Sequence, residues 1–249
     1  MTTAETEQSI ETTVYGDFAD LLKPETKWVI GGFPGWDFRE PNAVAVVQNG
    51  RLRVGVMPLT RSHDAVQFFD NAKHMYYSTE TFAVPRGGEI SVDLDIRAQK
   101  LNGTPDDFYD GFVSVNLLDF KTGLALDFFV SNEAFATVYA RLPFPGAAAP
   151  EGDAIKYFGL FKEQPLPKGA GQTHHYTITY NQGSSELLFY VEGALVNHEV
   201  NVPRMESFIA ALGIMTEKDI AAGKSVSCHG QGMSAEWSPL TITRRFAQA

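Results

Sequence analysis

A carboxylate, a phenol and a guanidinium on neighbouring strands can move protons and polarise an oxygen, and residues 112–141 offer that set. Asn116 lies in the run 112–118, Asp127 in 124–131, and Tyr139 and Arg141 in 134–141. Side chains alternate along a strand, so residues two apart share a face. One side of the first run carries Ser114 and Asn116, and one side of the second carries Asp127 and Phe129. One side of the third carries Phe135, Thr137, Tyr139 and Arg141. The expected surface therefore holds Asn116, Asp127, Tyr139 and Arg141 among the rings of Phe129 and Phe135. On it Asp127 would move a proton while Tyr139 and Arg141 polarise an oxygen. An apolar floor with few placed polar groups suits a small molecule. A half-buried face on which Asp127 simply pairs with Arg141 is the plainer reading of the same pattern.

A second group lies upstream. His63 and Gln67 would point the same way on a strand, and His63 could shuttle a proton near neutral pH. Downstream, glycines break Ser227-Cys228-His229-Gly230-Gln231-Gly232. Adjacent strand residues face opposite sides, so Cys228 and His229 do not form a nucleophile and its base. The glycines suit a bulge or a close ligand, and His229 and Gln231 share a face that could reach the same groove. By the same alternation His174 and His175 cannot hold one metal ion together. His198 falls near a hairpin end and is expected in solvent. The loop 31–38 is rich in glycine and aromatics. Trp36 would stack there on a sugar or apolar ligand, or fold with Phe38 into the edge of the core. Asp106, Asp107 and Asp110 could offer oxygens to calcium, although an acidic turn explains them as simply.

No zinc spacing, phosphate-binding loop, dinucleotide fingerprint or nucleophile elbow occurs, so no metal and no cofactor is implied. The 249 residues carry a formal net charge of −10. That field repels phosphate backbones and anionic lipid heads, arguing against nucleic-acid and membrane partners. A small-molecule ligand bound by a monomer or homodimer is the expectation that remains. Cys228 is alone, so no intrachain disulfide can form. The first residues lack the basic start and apolar core of an export signal, and no run approaches the roughly 20 apolar residues that span a bilayer. A cytoplasmic location follows as the expectation.

The elements that must carry these groups are strands. Residues 1–12 read as a tail, and 13–249 as a single domain broken at short intervals by Gly, Pro and Asn. Asn49-Gly50 suits a type I′ turn joining 43–48 to 51–57 as a hairpin. Residues 89–97 alternate, with Ile90, Val92, Leu94 and Ile96 on one face. The runs 112–118, 124–131 and 134–141 form a meander, followed by strands at 155–161, 174–180, 186–191, 194–200, 209–216, 225–236 and 240–245. A short helix is expected near 217–222. Many short strands with tight turns predict an all-β, two-sheet antiparallel sandwich.

Several segments resemble the concanavalin A-like lectin/glucanase superfamily. Tyr15-Gly16-Asp17-Phe18, Leu22-Lys23-Pro24 and Lys27-Trp28 are similar to its opening, and Gly50-Arg51-Leu52-Arg53-Val54 to a strand that follows. The runs 175–180 and 189–196 are similar to a late strand pair. The resemblance implies a jelly roll and leaves the function open, because this fold hosts hydrolases, lyases, lectins and interaction domains. Glucanases of the superfamily carry a Glu-x-Asp-x-x-Glu strand, whereas the strand aligned with it here, 123–130, keeps only Asp127. Asp93 and Asp95 also lie two apart, without a partner glutamate. A retaining glycosidase is thus disfavoured. The preferred reading is a metal-independent enzyme that cyclises, isomerises or eliminates on a largely apolar, secondary-metabolite-like substrate. A carbohydrate-binding module and an atypical glycoside hydrolase or lyase are the alternatives.

Overall fold

The computed structural model describes residues 9–16, 18, 27–31, 37–61, 72–144, 146–148, 157–167, 169, 171–218 and 227–247. The strands run β1 (Ile10–Tyr15), β2 (Trp28–Ile30), β3 (Val44–Gln48), β4 (Arg51–Val56), β5 (Lys73–Ala83), β6 (Glu89–Leu101), β7 (Phe112–Asp119) and β8 (Leu124–Val130). They continue as β9 (Ala134–Arg141), β10 (Phe158–Pro165), β11 (Thr173–Asn181), β12 (Glu186–Val191), β13 (Ala194–Val200), β14 (Ser207–Met215), β15 (Gly232–Trp237) and β16 (Leu240–Arg245). Among the described residues the one helical element is a 3-10 turn, Phe108–Asp110, and no helix there could cross a membrane.

Two antiparallel sheets result. One has nine strands in the order β13-β12-β11-β6-β15-β4-β3, with β16 pairing both β6 and β1. The other has seven, β10-β9-β8-β7-β14-β5-β2. The expected jelly-roll sandwich is therefore the fold. Alternation builds its core: Leu52, Val54 and Val56 of β4, and Ile90, Val92, Leu94 and Ile96 of β6, meet Val113, Val115, Leu117, Leu126 and Phe128 of the facing sheet. Trp237 bridges the layers, its Nε1 donating to the Ser114 carbonyl at 3.2 Å. Asn49 and Gly50 both take positive φ, 54° and 71°, as the I′ hairpin requires.

The opening motif plugs one end of this core. Tyr15 meets Trp28 edge-on at 5.4 Å and Phe18 stacks on Trp28 at 5.7 Å. Gly16, at φ 77°, lies where a Cβ would stand 2.3 Å from the Trp28 Nε1. The likeness to the superfamily at this end is thus a matter of packing.

Some expectations move. Residues 10–12, read as tail, pair with β16 as part of β1. β2 and β5 were not foreseen, and the strand expected at 155–161 runs instead over Phe158–Pro165. Of the helix expected near 217–222, Glu217 and Lys218 are not helical, Lys218 forming an isolated β-bridge, and the remainder lies outside the described residues. The strand expected at 225–236 begins only at Gly232. Buried Gln231 holds the preceding loop, donating to the Ser227 carbonyl at 2.7 Å and accepting from the His229 N–H at 2.8 Å.

Candidate functional site

A sheet with one solvated face shows alternating burial, yet β7 and β8 are buried at every position. The outer face of the seven-stranded sheet carries a second apolar cluster that includes Phe38, Met75, Phe112, Leu118, Phe129, Val138, Ala140, Phe144 and Met215. Strand registers set one row across it: Tyr77 of β5, Ala211 of β14, Asn116 of β7, Asp127 of β8, Val138 of β9 and Phe161 of β10. Further along, Lys73 stands opposite Met215. Glu217 follows the end of β14, two residues beyond Met215.

A cavity of about 380 Å³ opens on this face. Its walls are Phe38, Met75, Leu118, Phe129, Val138, Ala140, Leu142, Phe144, Phe158 and Phe161. The polar groups that reach it are Lys73, Tyr77, Asn116, Asp127, Tyr157, Thr216 and Glu217. Gly213 keeps the floor low, since a Cβ there would stand 2.5 Å from the Met75 sulfur and 2.6 Å from the Ser114 hydroxyl. Asn116 donates both amide protons, to Ser114 Oγ at 2.8 Å and to the Ala211 carbonyl at 3.2 Å, so it offers the cavity only its carbonyl oxygen.

Burial dominates the electrostatics. Asp127 is 4% exposed, and its Oδ1 has no hydrogen-bond partner among the described residues. Desolvation first and the charge of Glu217 second push its carboxyl well above the usual carboxylate range, against the opposing charge of Lys73. Desolvation likewise lifts Glu217 to about 7 and lowers Lys73 to about 8, and in each case the charge of the other opposes the shift. Two acids and one amine thus share a single, largely apolar site. All three line the cavity, and the charge of each bears on the others. The Lys73 ammonium also lies 5.0 Å from the centroid of the Phe38 ring, within cation–π range.

The elements behind these groups are tied down. Ala72 and Thr216 exchange hydrogen bonds at 2.8 and 3.0 Å, fixing the strand ends that carry Lys73 and Glu217. The Glu217 N–H donates to the Tyr109 carbonyl at 3.0 Å, and Lys218 turns the other way onto Asp107 and Asp110. Burial alone would raise Asp110. Its bonds to His229 at 2.6 Å, to the Thr104 N–H and to Lys218 outweigh that and bring it to about 2. The acidic turn read as possible calcium ligands therefore spends these carboxylates on Lys218 and His229. On the core side of β5, His74 accepts from the Glu40 N–H at Nδ1, 3.1 Å, and its Nε2 meets the Tyr76 hydroxyl at 3.2 Å. Burial, with Arg39 nearby, lowers it to about 4, so it stays neutral.

Of the residues singled out in the sequence, Asn116, Asp127 and Phe129 line the cavity together. Phe135, Tyr139 and Arg141 do not join them. Asp127 pairs with Val138, so the face of β9 beside it carries Ala136, Val138 and Ala140. Phe135 and Tyr139 instead turn into the core between the sheets, and Arg141, two residues further on, shares their face. An Asp127–Arg141 pair is therefore ruled out by the register. His229 and Gln231 hold the loop before β15 and do not line the cavity. His63, Gln67 and Trp36 lie outside the described residues. Lys73 and Glu217 escaped the sequence reading. The alternation Lys73, Met75, Tyr77 could have signalled a strand face, but the intervening His74 and Tyr76 obscure it.

Residues 15–245 match a family described as of unknown function, DUF6081. The chain belongs to DUF6081. No curated protein matches this DUF6081 chain in sequence. Among solved structures it is similar to an endo-1,3-β-glucanase from Streptomyces sioyaensis, with 15% identity, TM-score 0.54, and 86% and 88% of the two chains covered. It is also similar to a prokaryotic β-1,3-1,4-glucanase (lichenase) from a mouse hindgut metagenome, with 10% identity, TM-score 0.53, and 94% and 98% covered. A native glycosidic hydrolase aligns with 12% identity, TM-score 0.54 and 97% of both chains. At such identities the likeness is one of fold. The DUF6081 chain has the concanavalin A-like jelly roll.

Proposed function

We propose that the cavity on the seven-stranded sheet is the active site of an enzyme that moves protons on a compact, largely apolar small molecule, by isomerisation, cyclisation or elimination. The observation that carries this reading is a buried carboxyl, Asp127, with an unpartnered oxygen in an apolar cavity that Lys73 and Glu217 also line, where burial favours its neutral form. Such a site holds a proton donor and a proton acceptor at one pH because their environments push them apart. Glu217 accepts a proton from substrate carbon, and Asp127 donates to the oxygen or leaving group on which charge develops. Lys73 offsets the charge between steps. The aromatic walls hold the substrate in a reactive conformer and keep water away.

A second reading has one observation in its favour: two carboxyl groups, Asp127 and Glu217, reach the same cavity in a fold shared with glucanases. Hydrolysis of a glycoside needs such a pair. The walls oppose it. A sugar ring presents several hydroxyls, each costing about 1–3 kcal/mol if buried without a partner, and these walls are chiefly Phe, Leu, Val, Ala and Met.

Thermal shift against two panels, oligosaccharides and apolar polyketide- or terpenoid-like compounds, separates the readings. A ligand at about 100 times its dissociation constant stabilises by roughly 2.7 kcal/mol, well within detection. The expected result is stabilisation by apolar compounds alone, weakened in Asp127→Asn. Stabilisation confined to oligosaccharides would sink the proton-transfer reading and favour the glycosidase.

A further inference from the structure

Lys73 has more to offer than charge balance. It is 8% exposed, lines the cavity, and lies on one face with Met75 and Tyr77. We infer that Lys73 is a carbonyl-capturing nucleophile, and that the substrate class of this site is apolar aldehydes and ketones held as an imine. The inference rests on the cavity being the ligand site.

Three features of the geometry support it. Glu217 follows the end of β14 two residues beyond Met215, the partner of Lys73 on β5, and lines the same cavity, so the ammonium proton has a carboxylate acceptor in that space. In water an ordinary lysine at 10.5 and glutamate at 4.5 would not make this exchange, whereas here burial draws the two proton affinities close together. Asp127 is an acid with an unpartnered oxygen in the same cavity, placed to protonate a departing hydroxyl. The Phe38 ring beside Nζ stabilises a cation there before and after condensation.

The chemistry closes. The proton passes from Lys73 to Glu217, and the amine lone pair forms the new C–N bond as the carbonyl π pair moves to oxygen. The new C–N nitrogen, now N⁺H2, gives one proton to that oxygen to make a hydroxyl. The hydroxyl takes a second proton from Glu217, or from Asp127, which recovers it from Glu217, and leaves as water with the C–O bonding pair while the nitrogen lone pair closes the C=N bond. The product is an iminium on Lys73. The net change is one ammonium and one carbonyl giving one iminium and one water, with charge conserved and no oxidant or reductant consumed. An iminium acidifies the adjacent C–H, so the same carboxylates can then carry out proton removal and return.

The test is reductive trapping. The full chain is incubated with a graded series of apolar aldehydes (butanal, cinnamaldehyde, citral) and sodium cyanoborohydride, and lysines are mapped by peptide mass spectrometry. Thermal shift with the same aldehydes is measured alongside, without reductant. We expect reduced adducts on Lys73 at a rate roughly tenfold or more above that of exposed Lys121, and none at position 73 in Lys73→Arg, which keeps the charge. If the aldehydes raise the melting temperature in an Asp127-dependent way while Lys73 stays unlabelled, the imine is overturned and the cavity remains the ligand site. If they neither bind nor label, both fall.

Discussion

Asp127 is the residue on which the site turns, and its protonation state can be read from stability as well as activity. Folding raises its carboxyl above the ordinary value of 3.8, so the folded state keeps a proton that the unfolded chain releases. The stabilisation is fully present below the unfolded value and is lost as pH rises through the folded one. Asparagine matches the neutral acid in shape and has no proton to lose. The stability of Asp127→Asn relative to the parent should therefore increase as pH rises above about 4, as followed by urea denaturation at each pH. Proton transfer should fall in the same variant by roughly 10²–10⁴-fold. A variant less stable than the parent, and equally so at every pH, would mean that Asp127 is buried as a carboxylate with a fixed partner. Asp127 stood out in the sequence because it is the one carboxylate on an otherwise apolar strand. Lys73 and Glu217 did not, because their meeting depends on β5 pairing with β14 across more than a hundred residues, which no local pattern encodes.

At the scale of elements, the meander β7-β8-β9 was legible almost to the residue, and its face assignment was right for two strands and wrong for the third. The turn between β8 and β9 pairs Val130 with Phe135, which sets odd positions of β8 against even positions of β9. A one-residue change of phase moves every side chain to the other face. Tyr139 and Arg141, chosen for their chemistry, were thereby exchanged for Val138 and Ala140. That exchange is itself informative, because small residues on β9 leave the cavity open. Ala140→Phe projects a ring into that space from a rigid strand. It should abolish binding of compounds that stabilise the parent and shift folding stability by less than about 1.5 kcal/mol, since the added volume enters existing space. Retained binding in isothermal titration would place the ligand elsewhere on the molecule.

At the scale of the whole molecule, the two sheets divide the labour, and Trp237 is where they are joined. The nine-stranded sheet supplies one wall of the common core and meets solvent through charged pairs such as Arg51–Asp95 at 2.5 Å. The seven-stranded sheet is buried on both sides of its central strands and carries the cavity on the side away from its partner. Ser114 connects these roles: its carbonyl accepts the Trp237 indole, and its hydroxyl accepts from Asn116, beside Asp127. Trp237 itself is fully buried. Trp237→Phe removes the inter-sheet hydrogen bond and leaves a void, so it should cost about 2–4 kcal/mol. Because both sheets share that core, the loss should appear as a lower urea midpoint with an unchanged slope and a single transition. Two separated transitions would instead show that the cavity-bearing sheet unfolds independently of the layer behind it, and that the burial of Asp127 rests on the second apolar cluster alone.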